Sequence, residues 1–88
     1  MSITADDMDD IRHALGIDNR RPRKQWGFRN YYCGHTPGME RLVAVGFMRL
    51  ARAGSELTGG DPVYAATREG CRAVGMTDAE IDRMEPRP

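Results

Sequence analysis

Residues 42–67, LVAVGFMRLARAGSELTGGDPVYAAT, read as the end of a helix, an abrupt stop and a β-hairpin, and every other segment has to find its place around that hairpin. Leu42, Val43 and Val45 give a helical turn an apolar side, and Gly46 is the residue type that most easily takes the left-handed conformation closing a helix. Phe47, Met48 and Leu50, interrupted by Arg49 and Arg52, then fit a strand with one face on a core and one in water. Gly54-Ser55 and Gly59-Gly60-Asp61 are breaker clusters, and Val63 to Ala66 form a second short strand ending at Thr67.

Immediately upstream, Gly34-His35-Thr36-Pro37 changes the chain's direction. Thr36 as N-cap with Pro37 at the first helical position predicts a helix through Met39, Leu42 and Val43 to about Val45. Before it, the aromatic-rich FRNYYC, Phe28 to Cys33, predicts a strand that pairs with the hairpin, because an isolated hairpin is only marginally stable. Downstream, Thr67 caps a helix with Cys71 and Val74 on its inner face, and Gly70 in its first turn implies close backbone packing. Thr77-Asp78-Ala79-Glu80 is a full capping box with Met76 and Ile81 as a hydrophobic staple, so a last helix runs to about Met84 and the tail 86–88 is loose.

At the other end, Thr4-Ala5-Asp6-Asp7 has the form of a capping box with Asp in place of Glu. Met8, Ile11 and Leu15 make an apolar stripe, and Gly16 is a stop, which places a helix at about 5–15. His13 falls on its polar flank. Residues 17–27, IDNRRPRKQWG, have no period and read as a loop. That loop carries Arg20, Arg21, Arg23 and Lys24, then Trp26, with Phe28, Arg29, Tyr31 and Tyr32 just after. Guanidinium groups neutralise phosphates and exposed rings stack on bases, so this is the most nucleic-acid-like segment. The same residues also read as a solvated loop whose Trp26, Phe28 and Tyr31 anchor the core.

Eighty-eight residues give room for one domain, 1–88, with one small core. A hydrophobic fraction of 40% with 30% charged residues excludes a disordered chain, and no apolar run approaches the ~18 residues of a membrane span. With an acidic N-terminus and only Cys33 and Cys71, the expected setting is the reducing cytoplasm, with no membrane partner. Net charge is zero, but acidic residues collect at both ends and basic ones between them, and among the basic residues only Lys24 is a lysine. Arginine favours bidentate and stacked contacts, so the bias fits an interaction role and equally fits a genome whose base composition favours arginine codons.

Catalytic grammar is absent: there is no phosphate-binding loop, no GxGxxG and no serine in an elbow context. Cys33 and His35, with Cys71 and either His13 or a carboxylate, are the ligands from which a zinc site would have to be built. The CxxC spacings of small zinc modules are missing, so neither metal nor other cofactor is expected.

The run LVAVGFMRLARAGSELTGGDPVYAATREGCRAVG, residues 42–75, resembles the back half of a winged-helix domain: helix, glycine stop, wing hairpin, then an aromatic and Thr-x-x-Gly opening a helix. Together with Arg29-Asn30-Tyr31-Tyr32 it is similar to small uncharacterised proteins encoded by bacteriophages and prophages. The winged-helix likeness implies a recognition helix, yet only one helix, at residues 37–45, fits between the first strand and the hairpin.

These readings combine into an α+β domain, degenerate winged-helix-like, with a small antiparallel three-stranded sheet and about four short helices. The expected role is a non-enzymatic, phage-type interaction module in the bacterial host cell. It binds nucleic acid weakly, or a host macromolecule, through Arg20, Arg21, Arg23, Lys24, Trp26 and Arg29, with Arg49 and Arg52 on the outer face of the hairpin. The alternative is an inhibitor of a host function, such as a defence system, or a phage assembly factor. Such a factor would act through protein contacts alone, with homodimerisation through a strand edge as one form.

Overall fold

A threonine opens each of the four α-helices among the described residues, and its hydroxyl fixes where the helix begins. The computed structural model describes residues 3–18, 20, 22–56 and 59–84; Arg21 and the tail 86–88 lie outside them. In α1, Ala5–Leu15, Thr4 Oγ1 accepts from the Asp7 amide at 3.0 Å and the Asp7 carboxylate accepts from the Thr4 amide at 3.1 Å. Thr36 Oγ1 accepts from the Met39 amide at 3.0 Å to open α2, Pro37–Ala44. Thr67 does the same for Gly70 at 3.1 Å in α3, Arg68–Ala73. Thr77 and Glu80 exchange bonds of 3.2 and 2.8 Å at the start of α4, Asp78–Met84. Each of these bonds satisfies amides that helix geometry leaves without a partner.

The strands are β1, Tyr32–Cys33, β2, Met48–Arg52, and β3, Val63–Ala66, in the order β1-β3-β2 and antiparallel throughout. The fold is therefore α+β, with four α-helices and a three-stranded sheet among the described residues, one of those helices lying between β1 and the hairpin. One face of the sheet, through Met48, Tyr64 and Ala66, packs with Ile11, Leu15, Met39, Leu42, Cys71, Val74, Met76 and Ile81 as a single core. No helix among the described residues is long and apolar enough to cross a membrane.

Two expectations need correction. The strand expected over 28–33 is only two residues long, because Asn30 uses its side chain where a strand would use its backbone. Its Nδ2 donates to the Ala66 carbonyl at 3.1 Å, and its Oδ1 accepts from the Ala66 amide at 2.7 Å. The carboxamide thus completes a rung of the ladder beside β3 and frees residues 28–31 from a strand's pleat. Leu50, expected to face the core, is 54% exposed, since β2 is an edge strand and none of its residues beyond Met48 is buried.

Gly70 meets the close packing its position implies: a Cβ there would collide with the backbone carbonyl of Phe47. That carbonyl also accepts from the Thr67 amide at 3.0 Å, which locks the start of α3 to the entry of β2. The last helix docks through Ile81, which is fully buried, with Met76 beside it in the core. Thr77→Ala is expected to cost about 0.5–2 kcal/mol and Ile81→Ala about 2–5 kcal/mol, with coupling between them because both act through one turn. Urea denaturation of the two single variants and the double variant measures this; wild-type midpoints for both singles would mean that α4 contributes nothing to stability.

Candidate functional site

The basic residues fall into two groups, those that hold the structure together and those that face solvent. Arg23 belongs to the first group. Its guanidinium forks onto Glu80 with two bonds of 2.9 Å, also donates to the Gly75 carbonyl, and lies 4.5 Å from the Trp26 ring centroid. It therefore clasps the loop after α1 to the capping box of α4. Bonds from Arg23, and then from the Thr77 amide, hold the Glu80 carboxyl at about 2, well below its ordinary 4.5. The Trp26 ring packs against the core, and its buried indole N–H has no acceptor among the described residues, so the ring and not the polar edge holds it in place.

Arg29 is anchored as well, since its Nε and Nη2 donate to the His13 carbonyl at 3.2 and 2.7 Å. Its Cζ stands 5.5 Å from the Phe28 ring centroid and 5.7 Å from that of Tyr31, so one fixed cation lies against both rings. The Phe28 ring rests on Gly16, the left-handed residue closing α1, where any Cβ would strike it. The rings nevertheless stay open to solvent, Phe28 by 55% and Tyr31 by 53%. These two do not anchor the core; Trp26 does.

Arg49, Arg52, Arg20 and Lys24 form the second group. All four are exposed, and their side chains have no hydrogen-bond or ion-pair partner among the described residues. Arg49 and Arg52 are three apart, which in a regular strand would put them on opposite faces. A register shift between Leu50 and Arg52 changes that, because Arg49 pairs with Ala65 and Arg52 with Val63. Ala65 and Val63 lie two apart on β3, so the bulge brings both arginines to the face away from the core.

On that outer face the residues enclose an open groove of about 660 Å³, within the ~300–1,000 Å³ of ordinary ligand sites. Ala51, Ala65 and Ala66 are small residues of its lining, with Phe28, Arg29, Asn30, Arg49, Arg68 and Met84. Among the described residues no acidic one lines it, whereas two other concavities include Glu80 in one and Asp9 and Asp18 in the other. Arg68 pairs with Asp82, which partly offsets its charge. The sequence pointed to Arg49 and the aromatic segment but missed Arg68 and Asn30, whose proximity depends on β3 lying between β1 and β2.

A third arginine that the sequence left unassigned completes the structural set. Arg41 binds Asp7 with Nε and Nη2, both at 2.8 Å, across 34 positions of chain. Asp7 is 2% exposed, and the bonds from Arg41, joined by those from Thr4, hold its carboxyl at about 2 against an ordinary 3.8. The metal ligands considered from sequence are dispersed. Cys33 is exposed on β1, Cys71 lies in the core, and His35 Nε2 contacts Glu40 at 3.0 Å. Among the described residues no group of three or more His, Cys, Asp or Glu side chains is placed to hold a metal ion.

Comparison with family models, with curated proteins and with solved structures gives no significant match to this chain.

The two depressed carboxyls set the acid side of stability. Both are ionised in the fold at pH values where the unfolded chain would take up protons, so their contribution is full above about 4.5 and disappears as pH falls toward 2. Asp7→Asn and Glu80→Gln should each flatten the fall in urea midpoint between pH 5 and pH 2.5. A variant retaining the wild-type slope would show that its carboxyl does not contribute there.

Proposed function

We propose that the protein is a non-enzymatic interaction module that binds nucleic acid on the outer face of its sheet. The observation carrying this reading is the groove whose described lining includes the exposed Phe28 ring with Arg29, Arg49 and Arg68 and no acidic residue, Arg29 also standing against the exposed Tyr31 ring. Phosphates require cations that are not already neutralised, and Arg49 and Arg52 meet that requirement on one face. Arg20 and Lys24 add exposed charge on the loop. Affinity built on a few such cations is modest, largely independent of sequence and steeply salt-dependent. Arg23 is not among the ligand contacts in this reading, because Glu80, the Gly75 carbonyl and Trp26 already occupy it.

A second reading, contact with a host or phage protein or with another copy of the chain, draws on the open edge of β2. Among the described residues that strand has one neighbour, β3, and Leu50 on it is 54% exposed. An inhibitor or assembly factor would use such an edge by adding a strand.

Filter binding of labelled DNA and RNA at low and moderate salt separates the two. Retention at low salt is expected, decreasing steeply as salt rises, and Arg49→Ser with Arg52→Ser should reduce it while leaving the denaturation midpoint within about 0.5 kcal/mol of wild type, as for ordinary surface changes. Arg23→Ser should instead lower stability. If neither DNA nor RNA is retained at any salt, the nucleic-acid reading fails and the protein-contact reading replaces it.

A further inference from the structure

The geometry of the outer face points to single-stranded nucleic acid, and not duplex, as the ligand, an inference that rests on the nucleic-acid reading above and narrows it. A duplex presents phosphates on a convex surface and keeps its bases stacked on each other, so it offers nothing to a protein's exposed ring. Proteins read a duplex by inserting a protruding element, usually a helix, into a groove. The basic face here has the opposite shape: it is concave, its lining includes alanines, and it is bounded by a segment, Phe28 to Asn30, that is not helical.

An unpaired strand fits the features of this face. Its bases have free π-faces, and the Phe28 and Tyr31 rings, both more than half exposed, offer surfaces for them. The rings are positioned before any ligand arrives. Gly16 lies beneath Phe28, Arg29 stands beside both rings, and the Tyr31 amide donates to the Ala14 carbonyl at 3.1 Å. Little ordering is then needed on binding. Arg49 and Arg52, side by side through the bulge, supply phosphate contacts along one line of the sheet face. Their long side chains can follow a flexible backbone, and the small residues Ala51 and Ala65 in the groove beside Arg49 leave room for it.

The test uses the full chain and one labelled 16-nucleotide strand of mixed sequence, as DNA and as RNA, alone and annealed to its complement, with binding followed by fluorescence anisotropy. The single strand, in one or both chemistries, is expected to bind at least tenfold more tightly than the duplex. Tyr31→Leu should weaken single-strand binding about tenfold with the salt dependence unchanged, as loss of one stacking ring does. Arg49→Gln with Arg52→Gln should lower the slope of log affinity on log salt by about 1.4 for the single strand. Phe28→Leu is the parallel ring variant, and Tyr31→Leu keeps the test valid if the Phe28 change disturbs the contact with Gly16. Equal affinity for duplex and single strand, or no effect of Tyr31→Leu on a folded protein, overturns the single-strand assignment while leaving nucleic-acid binding in place. Failure of both strands and duplex to bind overturns both readings together.

Discussion

The bidentate pair between Asp7 and Arg41 is the constraint from which the arrangement of the elements follows. One carboxylate does three things: it closes the capping box of α1, accepts both bonds from an arginine in α2, and sits where a side chain at Gly38 would collide with it. A carboxylate this buried requires a partner, because leaving it uncompensated costs far more than a surface charge would. The pair therefore fixes how α1 and α2 lie together. The end of α2 in turn sets Phe47, whose amide donates to the Leu42 carbonyl at 2.9 Å and whose own carbonyl receives Thr67 and faces Gly70. In this way the placement of one ion pair passes through β2 to β3 and α3. Replacing both partners with apolar residues would remove the charge problem but also the directionality that selects this packing.

The irregular segment between α1 and β1 is ordered by a different device. It lacks a period, yet its backbone is bonded to its surroundings at intervals: Gly27 to the Leu15 carbonyl at 3.0 Å, Tyr31 to Ala14, and the Asn30 side chain to both backbone groups of Ala66. Arg23 and Arg29 add charged bonds to the Gly75 and His13 carbonyls. A segment held in this way displays the Phe28 and Tyr31 rings from residues that are themselves in neither helix nor strand. The arginines within it that are spent on structure are what make the remaining ones useful, since a ligand meeting a fixed surface loses less freedom of the protein on binding.

The helices and the hairpin were legible because their signals are local. Thr4, Thr36, Thr67 and Thr77 each cap over three residues, and Gly46 and Gly70 each mark a constraint that only a glycine tolerates. What was not legible depends on separation. Asp7 and Arg41 look like surface charges on two helices, and only the tertiary fold brings them together. Asn30 sits in an aromatic run with every appearance of a strand, and its replacement of backbone by side chain depends on where β3 passes. Leu50 alternates correctly for a core face, but alternation says which side a residue takes and not how far the core extends along that side. The basic run of residues 20–24 shows the same limit: sequence displays its charge but not that Arg23 turns inward onto Glu80.

A net charge of zero would seem to argue against an anionic ligand, but net charge governs approach from a distance, whereas contact is governed by local distribution. Asp82 on α4 pairs with Arg68 at the groove, but no carboxylate among the described residues pairs with Arg49 or Arg52, so the acidic residues of α1 and α4 leave those two charges to a ligand on the sheet. They do remove long-range steering. Association with the proposed face would then proceed at an unsteered rate, and selectivity would have to come from what happens at contact. Of the contacts available there, a phosphate bridge to arginine is the same for every nucleic acid, while stacking on Phe28 and Tyr31 requires an unpaired base. On the proposed reading, a neutral protein with fixed, exposed rings would draw its discrimination from the rings, and its arginines would determine how tightly, not which form of nucleic acid, it holds.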